Sequence, residues 1–323
     1  MTGATVSVLF SSAGRRVGLV NCFRRAAAHL GIGLEVLACD IDPDMSAACN
    51  VADRSFRVPP CRDAQYVPAL RSICETHRVS LVVPTIDPEL GPLAEASADF
   101  ASLATRLHVS SANVVAIAGD KLRTAELLRE RGVPVPRTAT LETVRRRPED
   151  WSFPLLLKPR GGSASIGLRL VQKPEEIPGA TGEPFIAQEF LEGPEYTVNF
   201  FVDGKGSLRC AVPHRRIRVR AGEVEKGRTE RQLDCMAIAH RIAEALPGAR
   251  GAMCFQVILD PRLGPKVIEI NARFGGGYPL ADRAGGFFAR WLLEEVTGLP
   301  SSMGDDWREG VTMLRYDEAV YLE

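Results

Sequence analysis

The chain has 323 residues, too many for one small core and enough for two or three packed units. Its 40 basic and 40 acidic residues cancel, so it lacks the basic excess of a nucleic-acid binder. No apolar run approaches the roughly 18 residues of a membrane span, and no basic n-region with an apolar h-region opens the chain, so a soluble cytoplasmic protein is expected.

The first part alternates strand and helix. Residues 6–10 form a short apolar strand, 16–30 have helical spacing with Val17, Val20, Phe23 and Ala27 on one face, and 34–39 are a second strand. A helix over 66–77 and a strand over 81–84 follow. This rhythm predicts an α/β unit, a doubly wound parallel sheet over residues 1–112. The loop Ser11-Ser12-Ala13-Gly14 lacks G-x-G-x-x-G, and a structural turn suits it as well as an anion site does. Asp87 and Glu89, after the third strand, suit either a ligand or a helix start.

Residues 113–118 and 121–131 have helical spacing, with Gly132 as the stop and Pro134 and Pro136 marking an extended link. Strands then dominate: 155–159, 167–171, 185–190, 196–202 and 208–212. A helix is expected over 232–246, strands over 252–259 and 266–271, and a last helix over 288–297. The basic run 214–231 reads as a mobile loop. Its Arg215, Arg216, Arg218 and Arg220 could cover a carboxylate or simply be solvated, and His214 is the one histidine outside a helical or apolar setting. The eight cysteines form no Cys-x-x-Cys pair and several sit in apolar runs, which suits reduced, buried thiols.

The most telling segment is Val267-Ile268-Glu269-Ile270-Asn271-Ala272-Arg273-Phe274, followed by Gly275, Gly276 and Gly277. Alternate strand side chains share a face, so Glu269, Asn271 and Arg273 point one way. A carboxylate and an amide oxygen suit Mg²⁺, and an arginine suits phosphate oxygens. The glycines would let a backbone approach a ligand. The alternative is the solvated face of an edge strand. Earlier, Lys158 closes an apolar strand and Arg160-Gly161-Gly162-Ser163-Ala164-Ser165-Ile166-Gly167 follows, a turn able to offer N–H groups to phosphates although it is no P-loop. The link Gln188-Glu189-Phe190-Leu191-Glu192-Gly193-Pro194-Glu195 joins two strands, and Gln256 interrupts an apolar one.

In that order, Lys121, Lys158 with its glycine-rich loop, Gln188-Glu189-x-Leu191 with Glu195, Gln256 and Glu269-x-Asn271-x-Arg273 resemble the ATP-grasp superfamily, in particular its carbamoyl-phosphate-synthase-like carboxylate–amine ligases with a pre-ATP-grasp domain in front. The resemblance covers essentially the whole chain. It implies a two-part α+β ATP-grasp fold behind the first sheet, with a lid subdomain over 113–185 and a metal-bearing subdomain over 186–323. It implies that Lys121 and Lys158 contact the ATP phosphates. Gly161, Gly162, Ser163, Ser165 and Gly167 would close over the triphosphate. Gln188, Glu189, Phe190 and Leu191 would line the adenine, and Glu195 the ribose. Glu269, Asn271 and Gln256 would hold Mg²⁺, or Mn²⁺ in its place, and Asn271 and Arg273 would serve the transferring phosphoryl group. Gln256 departs from the acidic residue of many relatives, and a single ATP-grasp half argues against carbamoyl phosphate synthesis. The implied partners are a small carboxylate and a small amine, with no nucleic acid or membrane, and a homodimer is compatible. A phosphotransferase or carboxylase of the same fold, or an ATP-binding protein without turnover, are the alternatives.

Overall fold

The computed structural model describes residues 5–162, 167–179 and 181–322. The apolar runs of the first hundred residues become β1 (Thr5–Ser11), α1 (Val17–Leu30), β2 (Gly33–Asp40), α2 (Ala47–Asn50), β3 (Arg54–Arg57), α3 (Tyr66–His77), β4 (Leu81–Pro84), α4 (Asp87–Glu95), α5 (Ser97–Ala101) and β5 (Arg106–Leu107). The five strands are parallel in the order β3-β2-β1-β4-β5, a doubly wound sheet. All of β1 beyond Thr5 is buried, because helices cover both faces, and that is why it reads as a continuous apolar run. The edge strand β3 has a largely exposed Arg-Ser-Phe-Arg sequence with no such run, so nothing in its residue pattern marks it as a strand.

Next come α6 (Ala112–Ala118), α7 (Lys121–Glu130), β6 (Thr138–Thr140), α8 (Leu141–Arg146), β7 (Leu155–Pro159), β8 (Arg169–Val171) and β9 (Phe185–Glu189). The strands make an antiparallel sheet, β6-β9-β7-β8, over its own small core of Leu141, Val144, Leu155, Leu157 and Ala187. β9 is paired on both sides, by β6 and by β7. A strand with two ladders cannot be parted from its sheet, so the break expected at 185/186 moves to residues 190–194.

The remainder is β10 (Glu195–Val202), β11 (Leu208–Arg220), β12 (Glu223–Thr229), α9 (Leu233–Ala245), β13 (Gly251–Asp260), β14 (Gly264–Asn271), α10 (Tyr278–Ala284), α11 (Phe288–Thr297) and β15 (Thr312–Leu314). Its antiparallel sheet runs β14-β13-β10-β11-β12-β15. The basic run expected as a mobile loop is instead the far half of β11 and all of β12. Val224, Gly227 and Thr229 are buried in β12, and Glu225 meets Arg218 at 2.9 Å and Arg220 at 3.5 Å. Such cross-strand pairs stabilise a hairpin, and they cannot be seen while the charges are read along the chain.

The first and last units share one hydrophobic body. Val8, Phe10 and Phe23 pack with Phe274, Tyr278, Phe288 and Trp291, and Arg25 reaches Asp282 at 2.8 Å. Two histidines are sealed into this body. His108 Nε2 accepts from Ala252 N at 2.9 Å, and His214 Nδ1 lies 3.3 Å from the Asn199 amide nitrogen. Burial, assisted by Arg106 near the first and Arg216 near the second, pulls both imidazoles down to about 3. The unfolded chain takes up a proton on each near pH 6.5 that the folded chain refuses. Stability from this source is therefore complete above about 6.5 and falls as the pH drops toward 3. These two groups alone should make the protein about 3 kcal/mol less stable at pH 5.5 than at 7.5. Urea unfolding at the two pH values checks this. Equal stabilities would mean that the imidazoles are protonated in the fold.

Candidate active site

β14 ends in a chain of side-chain hydrogen bonds. Asn271 Nδ2 donates to Glu269 Oε1 at 2.9 Å, and Arg273 Nη2 donates to Asn271 Oδ1 at 2.9 Å and to Asp87 Oδ2 at 2.8 Å. The strand alternation places Glu269 and Asn271 of β14 together, Arg273 follows two residues beyond the strand's end, and α4 brings Asp87 from the first unit. Burial works against the Arg273 charge, but Asp87 and Glu269 raise its pKa. Its Nε is buried without a partner among the described residues. A fixed, desolvated guanidinium with a donor to spare is suited to an anion.

These residues line a cavity of about 190 Å³ with Gln256, Thr197, Cys254, Arg216, Glu223, Arg15 and Arg16. Gln256 stands opposite Glu269 in the β13–β14 ladder. Beside the cavity, Lys158 of β7 has its Nζ 3.4 Å from Ile268 O, and burial pulls its ammonium down to about 8 while Glu269 opposes the shift. Burial also lowers Lys121, again against Glu269, and its Nζ donates to the carbonyls of Gly161 at 3.1 Å and Gly162 at 2.6 Å. Burial raises the Glu195 carboxyl, with Arg216 opposing. Arg216 Nε lies 3.0 Å from Glu195, outside hydrogen-bond geometry, while Nη1 donates to Thr197 Oγ1 at 3.2 Å. Lys158 of the small sheet and Lys121 of α7 thus stand close enough to the Glu269 carboxylate of the large sheet for its charge to support theirs.

Other expected residues take different places. Gln188 is buried and its amide donates to Thr138 Oγ1 at 2.9 Å, and Glu189 accepts from the Arg137 backbone N–H at 3.3 Å. Leu191 is buried and Phe190 precedes it in the link to β10. Ser163 and Ser165 lie outside the described residues, whereas Gly162 and Gly167 hold φ of +80° and +78°. The three glycines after Phe274 line the cavity, and packing constrains them too. A Cβ would lie 3.0 Å from Cys254 Sγ at Gly275, 2.8 Å from the Glu223 carboxylate at Gly276, and 2.7 Å from His214 Nε2 at Gly277, so close packing within the protein requires them. The loop after β1 is a structural turn, because Ala13 N donates to Cys39 O and Gly14 N to Asp40 Oδ2. Glu89 is likewise structural, accepting from Thr85 N, Ile86 N, Ser12 Oγ and Tyr66 OH. Of the four arginines of the basic run that were weighed against a carboxylate, Arg216 alone is enclosed in the cavity, while Arg218 and Arg220 are exposed. Arg16 and Glu223 gave no sequence signal, since each depends on an element distant along the chain.

Among the described residues, no three His, Cys, Asp or Glu side chains gather as a metal-binding group. The set Glu269, Gln256 and Asn271 nevertheless fits Mg²⁺, which takes one or two carboxylates and completes its octahedron with phosphate oxygens and water. Asn271 Oδ1 accepts from Arg273 Nη2 and keeps a second lone pair for a cation. Glu269 Oε2 and the Gln256 amide have no hydrogen-bond partner among the described residues.

The profile of a family described as ATP-grasp domain matches residues 118–277, and that of the PylC-like, N-terminal domain matches 8–108. The chain is 25% identical over 299 residues to the biotin carboxylase of Pseudomonas aeruginosa, covering 81% of this chain and 64% of that protein, so it spans less than two thirds of the relative's length. It is similar in fold to the biotin carboxylase domain of Hydrogenobacter thermophilus 2-oxoglutarate carboxylase, described as a dimer with MgADP and bicarbonate (TM-score 0.75, 16% identity, 94% of this chain and 73% of that one). The L-amino acid ligase of Bacillus licheniformis is similar too (TM-score 0.69, 18% identity, 92% of this chain and 75% of that one).

Proposed function

From the premise that this chain belongs to the ATP-grasp family, we propose that it is an ATP- and Mg²⁺-dependent ligase joining a small carboxylic acid to an amine. One observation carries the reading: the Glu269–Asn271–Arg273–Asp87 chain of hydrogen bonds lines one cavity, and the buried Lys158 Nζ lies beside it at 3.4 Å from Ile268 O. A substrate carboxylate oxygen attacks the γ-phosphorus, and the bond to the β-phosphate oxygen breaks to release ADP. The amine nitrogen then attacks the acyl carbon, inorganic phosphate leaves, and the nitrogen gives up its proton. Both steps need charge neutralised at the phosphoryl group, with no side-chain nucleophile. Arg273 supplies a rigid donor fork there, Asn271 orients it, and Lys158 and Lys121 meet phosphate oxygens. Glu269 and Gln256 would hold Mg²⁺, whose chemistry is to neutralise phosphate charge and orient the triphosphate. Residues 188–191 line the adenine and Glu195 the ribose.

The eight cysteines are free and seven are buried, which fits a reducing compartment and a cytoplasmic protein. No helix among the described residues is long and apolar enough to cross a membrane.

Phosphate release with pooled acids and amines tests the reading. Release should need an acid and rise sharply when an amine is added, with an amide found by mass spectrometry. Full-rate release with bicarbonate and no amine product would favour a carboxylase, the activity named for the biotin carboxylase relative. ATP binding without turnover under any pairing would favour a non-catalytic protein.

A further inference from the structure

Past Arg273 the cavity is lined by Arg15, Arg16 and Glu223, and Arg315, outside that lining, also reaches the Glu223 carboxylate. Glu223 opens β12, and its carboxylate is met by Arg315 Nη1 at 2.6 Å, Arg16 Nη1 at 3.5 Å and Arg15 Nη2 at 4.0 Å. Arg315 is itself fixed through Nη2 to Gly276 O at 2.8 Å, and Arg16 Nη2 donates to Thr85 O at 3.3 Å. Burial, and then the neighbouring Arg273, depress the Arg16 guanidinium. Burial pushes the Glu223 carboxyl up, but Arg16, Arg315 and Arg15 together outweigh it and hold the group ionised. Three guanidiniums around one carboxylate leave a surplus of positive charge in a half-buried wall, which favours a further anion. Glu223 also follows a tight turn in which Ala221 and Gly222 both have positive φ, +49° and +76°. That pair of values is the one a two-residue β-hairpin loop favours, so the turn sets Glu223 at the start of β12.

Resting on the ligase reading, we propose that Arg16 and Arg315 form a subsite for a second, free carboxylate of the substrate, and that Glu223 fills this subsite until the substrate displaces it. The substrate class is a small acid with a carboxylate beyond the reacting group: an amino acid joined through its amine, or a dicarboxylic acid activated at its other end. A cavity of about 190 Å³ suits a molecule of that size and lies below the range of larger ligands. Arg273 stays with the phosphoryl group, so one substrate bridges two arginine clusters and is held by its length as well as its charge.

Isothermal titration of the whole chain with L-alanine, L-glutamate and glutarate tests the subsite without turnover. The amino acids and the dicarboxylate separate the two substrate sources. Glu223→Gln should bind at least one probe about tenfold more tightly than the unaltered protein, since an internal competitor is removed. Adding Arg16→Gln or Arg315→Gln to that variant should abolish the gain. Mg·ADP affinity should stay within about twofold throughout, as expected of a site that does not touch the nucleotide. The proposal is overturned if Glu223→Gln binds no probe more tightly, or if the gain survives both arginine changes. Should Glu223→Gln not fold, Glu223→Ser replaces it. Failure of both to fold overturns the proposal as well, because Glu223 would then be an anchor and not a stand-in. Absent Mg·ADP binding in the unaltered protein would sink the ligase reading and leave the carboxylate titrations readable.

Discussion

Replacing Glu269 with Gln should cut turnover by about two orders of magnitude or more, as expected when a preorganised charge-stabilising group is lost, while leaving the fold intact. Gln preserves the shape and still offers an acceptor to Asn271 Nδ2, so the hydrogen-bond chain to Arg273 can persist. What goes is the one carboxylate among Glu269, Gln256 and Asn271. Removing a part-buried charge of this kind is often neutral for stability. Arg273→Lys should cost at least about tenfold in turnover, because a single ammonium cannot reproduce a fork that serves Asn271, Asp87 and the Phe274 carbonyl together. Kinetics and a thermal melt on each variant decide the matter. Near-normal turnover in Glu269→Gln with an unchanged melt would mean that the polar face of β14 is merely structural.

Gly193→Ala should be the most damaging single methyl addition in the chain, lowering stability by about 3 kcal/mol from overpacking and backbone strain combined. Gly193 sits in the link between β9 and β10 with φ of +129°, a region that side chains avoid. A Cβ there would lie 2.2 Å from Leu259 O and 3.0 Å from Leu259 C, both backbone atoms that cannot rotate away. The link is also stitched to β13 at that point, by Leu259 N to Pro194 O at 3.0 Å and Glu192 N to Asp260 Oδ2 at 2.9 Å. The link borders the residues proposed for the adenine, so nucleotide affinity should fall along with the melting temperature. Gly179→Ala, with open space at its Cβ, is the control and should change neither. Equal melts for the two variants would refute the packing argument.

The chemistry on β14 was legible early because a strand's period of two is local. Glu269, Asn271 and Arg273 fall on one face whatever the strand is packed against, and their residue types already name a cation and a phosphate. Central strands such as β1 and β4 were equally plain, since burial on both faces forces an unbroken apolar run. The hairpin of β11 and β12 was not. Its arginines look like a solvated run until Glu225 and Glu195 arrive from neighbouring strands to pair with them. The triple glycine was legible only in part, because the glycines line the cavity while the Cβ contacts to Cys254, Glu223 and His214 add a packing need that comes from distant elements.

By itself, then, the sequence determined the order of the units, the α/β and α+β character of each, and the carboxylate, amide and arginine at the end of β14, because all of these follow from periodicities and residue types within a few turns of chain. Only the tertiary structure decided that β9 belongs to the small sheet, that Asp87 completes the Arg273 chain, and that Arg16, Glu223 and Arg315 meet at one wall. These pairs are separated by up to about two hundred residues along the chain. Hydrophobic burial of the first unit against the last brings them together, and that force carries no local signature of which polar side chains it will place side by side.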